Sequence, residues 1–152
     1  MTGNKIAKET TEEFFLGEIY KNAKMGADSI INLLPHIKDD SLRSIVTMQL
    51  DGYEKYAARA SAALSARGLQ AKEENIITRL CAKAGVAMNS MMDSTTGHIA
   101  EMMIEGSNMG ITDMTKLLNE HEGRRGSGEA VRLAREVVGF EEHNVELLRR
   151  YL

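Results

Sequence analysis

The sequence is poor in the residues that cross-link, stiffen or break a chain. Among 152 residues there is one proline (Pro35), one cysteine (Cys81) and no tryptophan, and the aromatics number four tyrosines and three phenylalanines. A single cysteine excludes an internal disulfide and fits a reducing compartment. Neither sign of charge dominates: 19 Lys and Arg stand against 22 Asp and Glu, interspersed, for a net charge of −3. That balance gives no basic footprint for nucleic acid and no polybasic face for a membrane. No apolar run approaches the roughly 20 residues needed to cross a bilayer. The opening MTGNKIAKETTEE lacks the apolar segment of a signal peptide, so a cytoplasmic protein is expected. No phosphate-binding loop, dinucleotide fingerprint or nucleophile–base–acid set is present.

What is there favours helix. Ala, Leu, Met, Glu and Lys abound, residues that lose little rotamer freedom in that conformation. A hydrophobic content of 43% suffices for one domain, residues 1–152, with a sizeable core. Thr10 and Glu13 have the spacing of a capping box and predict the start of a first helix. Leu16, Ile19, Tyr20, Ala23, Ala27, Ile30, Ile31 and Leu34 form its apolar stripe, and Pro35 ends it. Glu18, Asn22, Met25 and Ser29 are assigned to the opposite side. Asp39 or Asp40 caps a second helix and Gly68 closes it; its stripe is Leu42, Ile45, Val46, Gln49, Tyr53, Tyr56, Ala57, Ala60 and Leu64. A third helical segment, Glu73–His121, is too long for its partners and is expected to break near Gly85, near Gly106–Gly110, or at both. Its stripe is read through Ile77, Leu80, Cys81, Ala84, Met88, Met91, Thr95, Ile99, Met102, Gly106 and Met109. After a glycine-rich loop, Ser127 is expected to cap a last helix from Glu129 to Leu152. The fold class is all-α, a four-helix bundle.

Helical wheels place several polar residues toward the core: Gln49, Tyr53, Tyr56, Thr95, His98 at its edge, Glu141 and Asn144. Glu141 is the sharpest, because a carboxylate on an apolar face is costly unless paired, hydrogen-bonded or protonated. The cluster reads as a buried polar network that fixes register, or as a metal or small-ligand site. A di-iron bundle needs an inward Glu from two helices and a Glu-x-x-His from the other two. This chain offers Ala23 and Ala27 on the first helix, Gln49 and Tyr53 on the second, and Glu141 with Asn144 on the fourth. The network reading is preferred. Four other features have plain alternatives. Met88, Met91, Met92, Met102 and Met103 could hold Cu(I) but read as core filler. His98 with Glu101 and a lone Cys81 read as surface and core residues. Arg124 and Arg125 before Ser127 could bind phosphate but read as a charged loop.

The helix layout over residues 10–152, the stretch HIAEMMIEGSNMGITDMTKLLNEH (His98–His121) and the closing FEEHNVELLRRYL (Phe140–Leu152) resemble the ferritin-like superfamily, in particular small bacterial members. The resemblance implies a crossover between helices two and three, for which Glu73–Ala84 could serve, and a di-iron centre in which only Glu141 matches a ligand position. The expected function is a non-enzymatic interaction or structural protein without a cofactor. A homo-oligomer is expected from the wide apolar arc of Met92, Ile99, Met103 and Ile104. The alternative is a metal-binding protein or oxidoreductase holding iron or another divalent metal through Glu141 and His98.

Overall fold

A computed structural model describes residues 2–71, 95–121 and 128–152, with side chains from residue 12 onward. Among the described residues there are four long helices, α1 (Thr2–Leu33), α2 (Asp40–Ser65), α3 (Thr96–His121) and α4 (Glu129–Leu148). No strand occurs among the described residues, and no described helix is long and apolar enough to cross a membrane.

Helix α1 starts eight residues before the expected Thr10, so the Thr10–Glu13 pair lies inside it rather than at its cap. Lys5, Ala7, Lys8 and Glu9 are good helix formers and carry the helix upstream; a capping sequence permits a start without imposing one. Pro35 acts as expected. The helix stops at Leu33 and tightens into a 3-10 turn, Leu34–His36. The chain then extends through the buried Ile37, whose carbonyl accepts a hydrogen bond from the Arg43 guanidinium. The Asp39 carboxylate caps α2 by accepting from the Leu42 amide at 2.8 Å. Gly68, at φ +76°, closes it in a left-handed conformation that an L side chain rarely adopts. The amides of Leu69 and Gly68 return to the carbonyls of Leu64 and Ser65, each at 3.0 Å, in a Schellman arrangement.

Helix α3 begins at Thr96 and runs without interruption through Gly106–Gly110, which corrects the expected break there. Two glycines weaken a helix by about 1 kcal/mol each relative to alanine, but tertiary packing on α1 and α4 holds this one. Gly85 and the rest of the Glu73–Ala84 stretch lie outside the described residues. The α3 core face is also turned from the expected one. Ile99, Met103, Ser107, Gly110, Met114 and Leu118 are buried, whereas Met102 and Met109 are half-buried and Gly106 is exposed. At its end α4 gives way to a 3-10 turn, Arg149–Tyr151, so the helix stops short of the expected Leu152, which is exposed. Ser127 lies outside the described residues. The α4 N-cap is Gly128, which has no side chain, and α1 supplies the missing acceptor: Glu12 accepts from the Ala130 amide at 2.9 Å.

Contacts between named residues fix the helix directions. Glu12 meets Arg67 and Gly26 meets Tyr53, so α1 and α2 form an antiparallel hairpin. Ser41 with Tyr151, Tyr53 with Phe140 and Arg59 with Glu136 make α2 and α4 antiparallel. Phe15 with His121 and Asn22 with Gly110 do the same for α1 and α3, as do Gly97 with Tyr151 and Gly110 with Glu141 for α3 and α4. It follows that α2 and α3 are parallel. The chain leaves α2 beside Glu12 and enters α3 at the opposite end, beside Tyr151. A short up-and-down connection is thereby excluded.

The core is continuous along this frame. Phe15, Leu16 and Ile19 of α1, Leu42 and Val46 of α2, Ile99 and Met114 of α3, and Val137 and Leu148 of α4 are essentially inaccessible. Each large apolar side chain buried in this way contributes about 1.5–3 kcal/mol.

Candidate functional site

Midway along the bundle the apolar core is interrupted by one polar layer. Asn22, Gln49, Ser107, Glu141 and Asn144 are the buried polar side chains among the described residues, and Tyr53 is buried beside them. All four helices contribute.

Glu141 is central. It follows Val137 by four residues and precedes Val145 by four, so α4 aims it inward with its apolar neighbours. Its side chain is 1% exposed. The Asn22 side-chain amide donates to Glu141 Oε1 across the bundle. Burial pushes the carboxyl up to about 8; the Asn22 hydrogen bond opposes this and the Asp113 charge adds to it. At neutral pH the carboxyl is therefore mostly protonated. Tyr53 stays neutral for the same first reason: burial raises its hydroxyl well above the ordinary range and Glu141 raises it further, while the nearby polar side chains of Ser107 and Asn144 act in the other direction.

Two helix-interior glycines make the layer possible. A Cβ on Gly110 would stand 2.7 Å from Asn22 Oδ1 and 2.8 Å from Glu141 Cδ, so α3 can approach the carboxyl only with no side chain there. A Cβ on Gly26 would stand 2.5 Å from the Tyr53 ring. Tyr53 in turn meets Phe140 edge to face, with ring centroids 5.0 Å apart.

Of the expected cluster, the fold brings Gln49, Tyr53, Glu141 and Asn144 into this layer and leaves out three residues. Tyr56 is half-buried at the α2–α4 margin, 5.3 Å from the Phe140 ring centroid and beneath the Arg59 guanidinium. Thr95 is exposed and caps α3, its hydroxyl accepting from the His98 amide at 3.3 Å. His98 is half-buried in the first turn of α3, twelve residues before Gly110. At 1.5 Å per residue that is about 18 Å from the place where Glu141 docks, so His98 and Glu141 cannot share an ion. The error has one source. Judging depth from the whole Glu73–His121 segment puts the middle near Thr95 and His98, whereas the helix Thr96–His121 has its midpoint near Ser107 and Gly110.

Asn22 and Ser107 belong to the layer and were not expected there. Assigning Asn22 to the outer side of α1 is corrected: it is 6% exposed. A signal was present, because Phe15, Ile19, Asn22, Gly26, Ile30 and Leu33 recur at steps of three and four. The expected stripe holds at Leu16, Ile19, Tyr20, Ala23, Ala27 and Ile30, all buried, but it was drawn too narrow on the Asn22 side, and Ile31 is half exposed.

A di-iron centre does not fit these residues. The layer supplies one carboxyl, already bonded to an amide, together with amides and hydroxyls, where such a centre needs four carboxylates and two imidazoles. Among the described residues no three His, Cys, Asp or Glu side chains converge. His143 and Glu101 are exposed, while Met103 and Met114 are core packing. Cys81, Met88, Met91, Met92, Arg124 and Arg125 lie outside the described residues. What the layer can do chemically is exchange hydrogen bonds and hold a proton on Glu141. No family model, curated protein or solved structure matches the chain.

Proposed function

We propose that the chain is a non-enzymatic, ferritin-like helical bundle, an interaction or structural protein that works in the cytoplasm as a homo-oligomer. In it a hydrogen-bonded polar layer takes the place of a di-iron site. One observation carries this reading: the central carboxyl, Glu141, is bonded to the Asn22 amide and packed on Gly110. A metal ligand must instead be ionised and joined by others. The parallel course of α2 and α3 supports the ferritin-like part, since those folds carry one long crossover. The α3 arc expected to make a subunit contact is core instead at Ile99 and Met103, so the oligomer part is supported by Ile31 and Met48, which are 50% and 60% exposed and stand level on the α1–α2 hairpin. Against the rival reading, a metalloprotein or oxidoreductase using Glu141 and His98, stands the distance of about 18 Å along α3 between His98 and the level at which Glu141 docks on Gly110.

Elemental analysis of protein purified without chelators tests the first part. Iron, manganese, zinc and copper are expected well below one atom per chain, and about one atom or more would overturn the reading. Sedimentation equilibrium tests the second, and a strict monomer at all concentrations would refute the oligomer.

A further inference from the structure

The central layer leaves hydrogen-bonding capacity in a definite place. Gln49 is 2% exposed, and neither its Nε2 nor its Oε1 meets a protein partner. Asn144 is equally buried, and its Nδ2 has none either. Stranded amides of this kind are rare in folded proteins, because each keeps its desolvation cost without the bond that would offset it.

These side chains stand at one level of the bundle. The antiparallel register of α2 and α4 pairs Ser41 with Tyr151 and Tyr53 with Phe140. One turn back from Tyr53, the same register sets Gln49 level with Asn144. Tyr53 lies on the same face as Gln49, and its hydroxyl is close to the Asn144 and Ser107 side chains. The unpaired groups thus gather around one hydroxyl between α2, α3 and α4.

Their chemistry defines what they take. Two amide NH2 groups call for an acceptor, and Gln49 Oε1 calls for a donor, so the occupant must offer both. Charge is disfavoured in either sign. An anion would meet only neutral amides, close to a carboxyl; a cation would find Gln49 Oε1 while Glu141 Oε1 is engaged by Asn22. Size is limited as well. One turn away the Phe140 ring fills the notch over Gly52, with its Cζ 2.5 Å from the position of a Cβ there, so the two helices approach closely beside the site.

We propose that Gln49, Asn144 and the Tyr53 hydroxyl form an internal binding site for water, holding one or two molecules that complete the hydrogen bonding of the layer. A water bridging two or more polar groups satisfies them at small entropic cost, and such molecules are integral to a fold. The site rests on the polar-layer reading of the bundle, and it sharpens that reading: the centre is wet and uncharged.

A crystal structure of the full chain at high resolution, with water–protein NOE spectra in solution, tests the proposal. Density is expected about 2.7–3.2 Å from the Gln49 amide and Asn144 Nδ2, with NOE cross-peaks from the water line to both side-chain amides. In Gln49→Met, which keeps the volume and removes the polar atoms, the Asn144 cross-peak should weaken severalfold or vanish while the Tyr53 and Phe140 ring signals stay native-like. If that variant does not fold, the wild-type density and cross-peaks decide alone. Rotated amides bonded directly to protein groups, with no solvent density, would overturn the water site and leave the polar layer standing. A peak at about 2.0–2.6 Å from several oxygens would mean a metal and would overturn both.

Discussion

Glutamine at position 141 should change the pH dependence of stability more than it changes the structure. The wild-type carboxyl titrates at about 8 in the folded state, against 4.5 for an ordinary glutamate. The sign follows from which state ionises first. Below about pH 4.5 both the folded and the unfolded carboxyl are protonated, and the group adds no pH dependence. Between about 4.5 and 8 the unfolded chain is ionised while the folded one holds its proton, so stability falls as the pH rises. Above about 8 both are ionised and the loss levels off. The slope is at most about 1.4 kcal/mol per pH unit, and the whole window amounts to about 5 kcal/mol as an upper bound. Glu141→Gln removes this contribution because an amide cannot ionise. It keeps an oxygen to accept from Asn22, so the two proteins should be of similar stability near pH 4.5, with the variant increasingly the more stable toward pH 8. Glu141→Ala should be less stable than Glu141→Gln throughout, since truncation strands the Asn22 amide and opens a void. Urea unfolding at half-unit intervals from pH 4.5 to 9 reads the difference, and subtracting one protein from the other cancels the histidines. Parallel stability curves for wild type and Glu141→Gln would refute the claim that this carboxyl is buried and neutral.

The two α3 glycines should respond to alanine with opposite signs. Gly106 is exposed with nothing within 4 Å of a new Cβ, so Gly106→Ala should stabilise the protein by about 0.5–1 kcal/mol. At Gly110 the methyl would collide with Asn22 and Glu141, and Gly110→Ala should destabilise by about 1–3 kcal/mol in chemical unfolding. Equal effects would mean that α3 does not approach the layer closely. At the end of the bundle where α1 reaches α4, Glu12→Ala should cost about 1 kcal/mol through loss of the α4 cap. Glu12→Gln, which retains an accepting oxygen, should cost less, and identical melting temperatures for all three proteins would remove the cap from the account.

Much of the frame was legible in residue order. The stop at Pro35, the Asp39 cap and the Gly68 closure each depend on one residue and its immediate neighbours, and each formed where those neighbours place it. The same local physics explains the misses. Nothing near Thr10 says how far upstream favourable residues will extend α1, and nothing inside residues 73–121 marks Thr95 as the cap where α3 starts. That second uncertainty moved the apparent centre of α3 by about three turns, exchanging Ser107 and Gly110 for Thr95 and His98.

The candidate site shows the boundary clearly. Sequence alone identified Glu141, Gln49, Tyr53 and Asn144, because each is polar on an apolar stripe, and a helical period of 3.6 residues leaves them no other direction. It could not identify Asn22 as the group that meets Glu141, since the two are 119 residues apart and join only when α1 and α4 run parallel. Nor could it tell that Gly110, a helix breaker by propensity, would sit unbroken against a carboxyl. Composition and periodicity determined an all-helical bundle with a polar interruption. Only tertiary packing decided which residues share that layer, because the depth of a side chain depends on where its helix begins, and its partners on which helices run side by side.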